Sequence, residues 1–314
     1  MLNSRTAALH QLHRALVTSP YPLPDTVLTL NIQDQPFGTS LTYSRPSSPS
    51  LSSTSRYFLI PHFSFWSWPL PSVISIPYAS PRITAVEDTV DFRSKIPKAV
   101  WRGTVWFNSI SNPRLRPDLI KAVRASKRRE EWADVEAMDG DKKNGLNIWD
   151  FCRYKYVIHT EGVTYSGRFQ FLQMCESVVI TPPISWMQHT SHLVRPLFSG
   201  DMLGREGERV SEGVKQAWPI RYKAEEATIV FVRSDWSDLE EVVEWLEEHA
   251  SVAEGIARRQ REMFVEGGYF SPAAEVCYWR GLVRGWAKVA RIEETEFEGI
   301  EGVPFEEFVL TGGR

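Results

Sequence analysis

Two arginines and the short runs around them are the residues best suited to chemistry in this sequence. Ser166-Gly167-Arg168 stands where a helix is expected to begin. Free backbone N–H groups and the positive end of the helix dipole would face a ligand there, with Arg168 adding a two-pronged donor. Arg116, just ahead of Pro117 at a second expected helix start, repeats the arrangement. Both describe an anion site; the plainer alternative is that each guanidinium pairs with a surface carboxylate. In open α/β sheets ligands bind beyond the carboxyl ends of the strands. That rule adds Asp34, Arg102-Gly103-Thr104, the run 161–168 and the residues around Asp235 to the candidates.

Other patterns carry less chemistry. Asp139-Gly140-Asp141 matches the DxD by which some sugar-nucleotide enzymes hold a divalent metal, but it lies in MDGDKKNG, a polar stretch that a plain turn explains. His10 with His13, and His189 with His192, have metal-ligand spacing without a third ligand beside them. GxGxxG, GxxxxGK[ST] and GxSxG are all absent. This argues against a dinucleotide oxidoreductase, a P-loop NTPase and an α/β serine hydrolase. The aromatic run 63–68 (FSFWSW), with Phe65, Trp66 and Trp68, suits either a core or a platform on which an acceptor stacks.

The elements that must position these residues alternate between strand and helix. Residues 26–32 (TVLTLNI) alternate at period two and run into the turn Gln33-Asp34-Gln35-Pro36. A Ser/Pro stretch at 45–55 reads as a surface loop, and 73–76 is a short β-branched piece. From Pro97 onward a strand–loop–helix pattern repeats. Strands are expected at 99–101, 154–159, 178–181 and 227–232, and helices at 118–127 and 166–175. Two more helices are expected to be opened by the capping boxes Ser237/Glu240 and Ser251/Glu254. This is the signature of parallel α/β sheets. A length of 314 residues allows two domains, and 42% hydrophobic with 24% charged residues excludes a disordered or fibrous chain. A net charge of -3 argues against nucleic acid as a partner. No stretch approaches the roughly 20 apolar residues of a membrane span.

In order along the chain, several segments resemble one family, the family 90 glycosyltransferases. They are Asn31-Ile-Gln-Asp34 with Pro36, Trp101-Arg-Gly-Thr104, Arg116 ahead of Asp118-Leu119, and Cys152-Arg-Tyr-Lys-Tyr156. Glu161-Gly-Val163 with Ser166-Gly-Arg-Phe169, Asp235-Trp-Ser-Asp-Leu239 and Cys277-Tyr-Trp279 complete the series. The family includes Rumi-type protein O-glucosyltransferases and fungal capsule-associated xylosyltransferases. The resemblance implies a GT-B-like α/β fold, two Rossmann-like domains facing a central cleft. The expected division is 1–97 on the acceptor side, 98–275 for the UDP-sugar, and a helical segment, 276–314, packing back on the first. It implies an inverting, metal-independent transfer of glucose or xylose from a UDP-sugar to a hydroxyl of a protein or glycan, with no cofactor. Asp34 would be the general base, taking the acceptor's proton. Arg102, Gly103, Thr104, Arg116, Gly162, Val163, Ser166, Arg168 and Phe169 would hold the donor, fixed cations answering the charge of the departing diphosphate.

The sequence departs from the family in two places. The Glu-Trp of the family's later segment is here Ser185-Trp186, and 199–218 reads as an insertion; both lie where donor sugar or acceptor would bind. A catalytically silent relative that binds a nucleotide sugar or glycan is therefore the alternative, and Asp34 discriminates the two. The resemblance further implies a Cys152–Cys175 bridge with Cys277 unpaired, and a location in the endoplasmic reticulum or Golgi lumen. Two buried free cysteines remain the other option. The chain as read shows no signal peptide, membrane anchor or KDEL-like end, so a cytoplasmic location stays open.

Overall fold

The runs AVW, YVI, VVI and IVF in the second part of the chain lack the polar alternation of a one-sided strand, the pattern of parallel strands covered on both faces. In the computed structural model, which describes residues 2–48, 56–138, 143–205, 210–291, 293 and 298–312, they form the middle of one sheet. The strands are β1 (Leu30–Asn31), β2 (Ser40–Thr42), β3 (Arg45–Pro46), β4 (Tyr57–Leu59), β5 (Ile96–Gly103) and β6 (Ala133–Ala137). They continue with β7 (Tyr154–Ile158), β8 (Val178–Thr181), β9 (Trp186–Met187), β10 (Pro196–Phe198) and β11 (Ile229–Phe231). The large sheet is six-stranded and all parallel, in the order β10-β11-β8-β7-β5-β6. A small parallel sheet has the order β1-β2-β4. Strands β3 and β9 pair antiparallel, Arg45 opposite Met187 and Pro46 opposite Trp186.

Side chains alternate across the large sheet as the pleat requires. Val100, Val157, Val179 and Phe231 enter a core shared with the helix Ile76–Glu87, while Trp101, Tyr156, Ile180 and Val230 enter one shared with the helices Leu115–Ala125, Leu239–Glu248 and Ala250–Arg261. The small sheet has its own core, in which Leu41 and Ile60 meet Ala8 and Ala15 of the helix Leu2–Val17 and Trp279 of the helix Pro272–Val289. The α/β class read from the sequence holds. The two sheets meet at their carboxyl ends: Ser44 and the carbonyl of Asp34 bond Thr164, Gln170 bonds Ser64, and the Ser47 N–H donates to the Ser185 carbonyl.

Several local expectations are corrected. Only Leu30 and Asn31 of 26–32 pair, because β1 is an edge strand whose sole neighbour is the short β2. Arg45–Pro46 is a strand, and 49–55 lie outside the described residues. The β-branched piece at 73–76 runs into a helix that opens at residue 76, since Ile76, Ala79, Ile83 and Val86 recur at helical spacing and are all buried. Pro97 lies inside β5 near its exposed start, where the ladder register shifts. Pro117 is the third residue of its helix, and 166–175 yields only the single turn Phe169–Leu172. Neither capping box forms: Glu240 accepts from Ser126 Oγ, Glu254 pairs with Arg93, and the second helix already begins at Ala250.

Cys152, on the turn leading into β7, and Cys175, before β8, are joined by a disulfide with a Cα–Cα distance of 5.0 Å. Both are fully buried, and Cys277 is exposed and free. The bridge closes a loop of 23 residues. Replacing both cysteines with alanine is expected to cost about 3 kcal/mol of stability by chain entropy. The shift of the urea midpoint at constant m-value checks this.

Candidate functional site

Sheet order singles out one crevice. From β5 the chain crosses to β6 on one side and then to β7 on the other, so the topological switch point lies between the carboxyl ends of β5 and β7. Arg116 and Arg168 converge there. Arg116 Nε donates to the Glu161 carbonyl at 3.2 Å and its Nη1 to the Thr104 carbonyl at 3.0 Å, with Phe107 against its face. Arg168 donates to the Arg102 carbonyl and lies over Phe151. Among the described residues neither guanidinium has a carboxylate partner, so the surface-pairing alternative does not describe them. Burial, reinforced by the neighbouring Arg168 charge, lowers Arg116 to about 9, and burial lowers Arg168 to about 10. Two buried cations that repel each other and bond only neutral oxygens form a cluster that an anion would neutralise. The helix-dipole part of the expectation gives way, because a one-turn helix after Arg168 has little dipole to offer.

The loop after β7 shapes the floor. The Gly162 N–H donates to the Tyr165 carbonyl at 2.9 Å, and a Cβ on Gly162 would lie 2.9 Å from Phe107. Val163 accepts from the Ile110 N–H, tying this loop to the one after β5. The Ser166 hydroxyl accepts from the Arg168 N–H, and Phe169 is buried against His159. Glu161, to which sequence reading gave a place in the run 161–168 but no role of its own, is the most heavily bonded side chain of this loop. Its Oε1 accepts from the backbone N–H groups of Ser185 and Trp186, both at 2.8 Å, and Ser109 Oγ donates to Oε2 at 3.2 Å. A carboxylate therefore does stand at the Ser185-Trp186 segment, supplied from the end of β7. Glu161 also lines a cleft of about 440 Å³ with Asn112, Arg114, Pro182, Ser185 and Asp235.

Burial pushes the Glu161 carboxyl up to about 8, against the pull of its three hydrogen bonds. The folded chain keeps a proton that the unfolded chain releases in the ordinary glutamate range. This stabilises the fold below that range, and the contribution is lost as pH rises through 8. His62, His159 and His189, each buried and held near 3, destabilise the fold as pH falls through the ordinary histidine range, so they oppose the glutamate effect near pH 6.5. Glu275, raised by burial to about 7, adds to the Glu161 effect at its lower end. With the three histidines set against the two glutamates, stability is expected to fall by about 1 kcal/mol between about pH 6.5 and 8. Denaturant titrations at the two pH values measure the drop, and Glu161→Gln should remove most of it.

Asp34 lies beyond the end of β1, exposed, in a turn organised by Asn31, whose side chain accepts from the Gln33 N–H and donates to the Phe37 carbonyl. Thr164, from the loop after β7, donates to the Asp34 carbonyl and so brings the two sheets' ends together at this residue. The Asp34 carboxylate makes no ion pair or hydrogen bond among the described residues, and partial burial raises its pKa.

Other candidates are placed differently from expectation. The Arg102 guanidinium turns away to Asp134 at 2.7 Å and the Asn144 carbonyl, so Arg102 contributes its carbonyl to the cluster, not its charge. A Cβ on Gly103 would lie 2.6 Å from the Trp101 ring, which accounts for that glycine by packing. Thr104 faces the cluster, its carbonyl taken by Arg116. The aromatic run is divided: Phe65 is buried and Trp68 half-buried, while Trp66 is 37% exposed. Phe65 is 2% exposed, Trp66 stacks on His10 beneath Arg14, and Trp68 rests on His62 and Phe63. Trp66 thus docks the first helix rather than forming an open platform. His189 is buried against Phe65 and Tyr278, and His13 meets Phe305. Asp139 and Asp141 lie outside the described residues. Among the described residues the one three-ligand group is Glu87, Cys152 and Cys175, whose sulfurs are bonded to each other.

Comparison with known proteins bears on this geometry. The family model described as Glycosyl transferase family 90 matches residues 2–199. The chain is 24% identical over 283 residues to an "O-glucosyltransferase rumi homolog" of Anopheles gambiae, covering 86% of this chain and 63% of that protein. It is 22% identical over 300 residues to "Protein O-glucosyltransferase 1" of Homo sapiens, covering 90% of this chain and 67% of that protein. The rat protein of the same name is 22% identical over 285 residues, covering 85% and 63%. The chain thus spans a little under two thirds of the length of the first of these relatives.

Proposed function

Because the chain belongs to glycosyl transferase family 90, we propose that the cleft between its two sheets transfers a sugar, glucose or xylose, from a UDP-sugar to a hydroxyl of a protein or glycan. The observation that carries this reading is the pair Arg116 and Arg168 at the switch point, buried without a carboxylate. A diphosphate supplies the two negative charges this pair lacks. Thr104, Gly162, Val163, Ser166 and Phe169 shape the donor side. In an inverting displacement Asp34 takes the acceptor proton as its oxygen attacks the anomeric carbon, and UDP leaves from the opposite face. The growing charge on UDP falls on fixed guanidinium groups, which do the work a metal does in other transferases. The free Asp34 carboxylate favours an active enzyme over a silent binder.

This reading makes the two sheets the cores of a GT-B-like pair of Rossmann-like domains, divided near residue 97, with the helix Pro272–Val289 returning to the first. Among the described residues no helix is long and apolar enough to cross a membrane. The buried disulfide supports work in an oxidising compartment such as the lumen of the secretory pathway. A panel of UDP-sugars, with UDP release read with and without chelator, tests the proposal. Release from one donor, unaffected by chelator, is expected. Binding without release in every condition would leave the silent reading, and complete loss with chelator would overturn metal independence.

A further inference from the structure

Glu161 is tied to three segments around the crevice. Its backbone carbonyl receives Arg116 Nε, its Oε2 receives the Ser109 hydroxyl from the loop after β5, and its Oε1 receives the amides of Ser185 and Trp186. Those two amides lie at the start of β9, the strand by which the large sheet holds β3. The Ser185 carbonyl accepts from Ser47 at 2.8 Å, just past β3, and the Trp186 indole donates to Ser111 at 3.0 Å. One buried carboxylate thus sets the backbone that registers the small sheet, which carries Asp34, against the sheet that carries the arginines. The pairing is otherwise slight, two residues a side.

We propose that Glu161 is a positioning residue: through Ser185 and Trp186 it holds β3 and β9 in register, and so fixes the distance between the two faces of the cleft. This rests on reading the cleft as the transfer site. Arg116 is held by the Glu161 main chain, which a side-chain substitution leaves in place, so diphosphate binding and sheet registration are separable at this one residue. The amide of glutamine has the same shape: its oxygen accepts both N–H groups and its nitrogen donates to Ser109. Alanine removes the acceptor, and aspartate, one methylene shorter, withdraws it from reach.

Three measurements on the full chain test this: amide hydrogen exchange, UDP affinity by calorimetry, and the kinetics of UDP release from UDP-glucose. In Glu161→Ala, or Glu161→Asp should the alanine variant not fold, exchange at Ser185 and Trp186 should quicken by about tenfold, the equivalent of one lost hydrogen bond. A purely local role would stop there. Registration requires the Ser47 amide to quicken as well, and kcat to fall about tenfold with UDP affinity and KM held within about threefold, because only transition-state alignment is lost. Glu161→Gln should match the wild type in all three. Unchanged exchange at 185 and 186, a Ser47 amide that stays protected, or UDP affinity falling in step with kcat would each overturn the proposal. So would a glutamine variant as impaired as alanine, since the charge itself would then be acting. A wild type that binds no UDP would overturn the reading of the cleft, while exchange at 185, 186 and 47 would still decide the registration.

Discussion

Replacing Asp34 with asparagine is expected to lower sugar transfer by two to four orders of magnitude, the usual contribution of a general base, while UDP affinity stays at the wild-type level. The side chain keeps its size and loses only the ability to take a proton. Its surroundings suit that role. Asn31 shapes the turn, Thr164 anchors the Asp34 carbonyl, and the carboxylate itself is left without a partner among the described residues. Partial burial raises its pKa, which strengthens it as a base. The arginine cluster stands at the end of the other sheet and should not sense the change. Parallel measurements of product formation and UDP binding make the comparison. A variant that transfers at the wild-type rate would remove Asp34 from the chemistry, and one that loses UDP binding would move it to the donor side.

Arg168→Ala is expected to weaken UDP binding by about 2–4 kcal/mol, the cost of leaving one member of a desolvated ion pair without its partner. The estimate applies to a guanidinium that bonds a single carbonyl oxygen in the free protein, so little internal bonding is lost with it. Arg168→Lys should recover only part of the affinity, because an ammonium is a point charge and cannot span two phosphate oxygens. Removing Arg168 also relieves the repulsion that lowers Arg116, so the Arg116 pKa should move back toward its ordinary value. Arg116→Ala is a less clean test, since Arg116 also braces the carbonyls of Thr104 and Glu161. Calorimetric titration with UDP at moderate ionic strength gives the number. Unchanged affinity in Arg168→Ala would exclude it from the donor site and with it the reading of the cluster as a diphosphate clamp.

What the sequence alone determined was the class of fold and the neighbourhood of the site. Short apolar runs such as VVI and IVF, alternating with helical segments, point to parallel strands buried on both faces, and ligands gather where such strands end. The ordered segments from Asn31 to Trp279 carried the family, and with it Asp34, Arg116, Arg168 and the two bridged cysteines as residues to examine. Tertiary structure decided which of those residues are brought together and with what partners. Arg102 and Arg168 are equivalent as letters, yet one is neutralised by Asp134 and the other is not, because the partner lies 32 residues away on a neighbouring strand. In the aromatic run, Phe65 is buried while Trp66 lies against His10 and Arg14 of the first helix, a contact that no local spacing shows. Local spacing also failed at the two capping boxes, where contacts with Ser126 and Arg93 outweighed the preference of a serine three residues ahead of a glutamate. Glu161 was least visible of all. Its partners, Ser109, Ser185 and Trp186, come from loops more than twenty residues away on either side, and no periodicity brings them together. Hydrophobic pattern is a property of consecutive residues and survives in one dimension; the pairing of a buried charge depends on which loops the sheet order makes neighbours, and that exists only once the chain has folded.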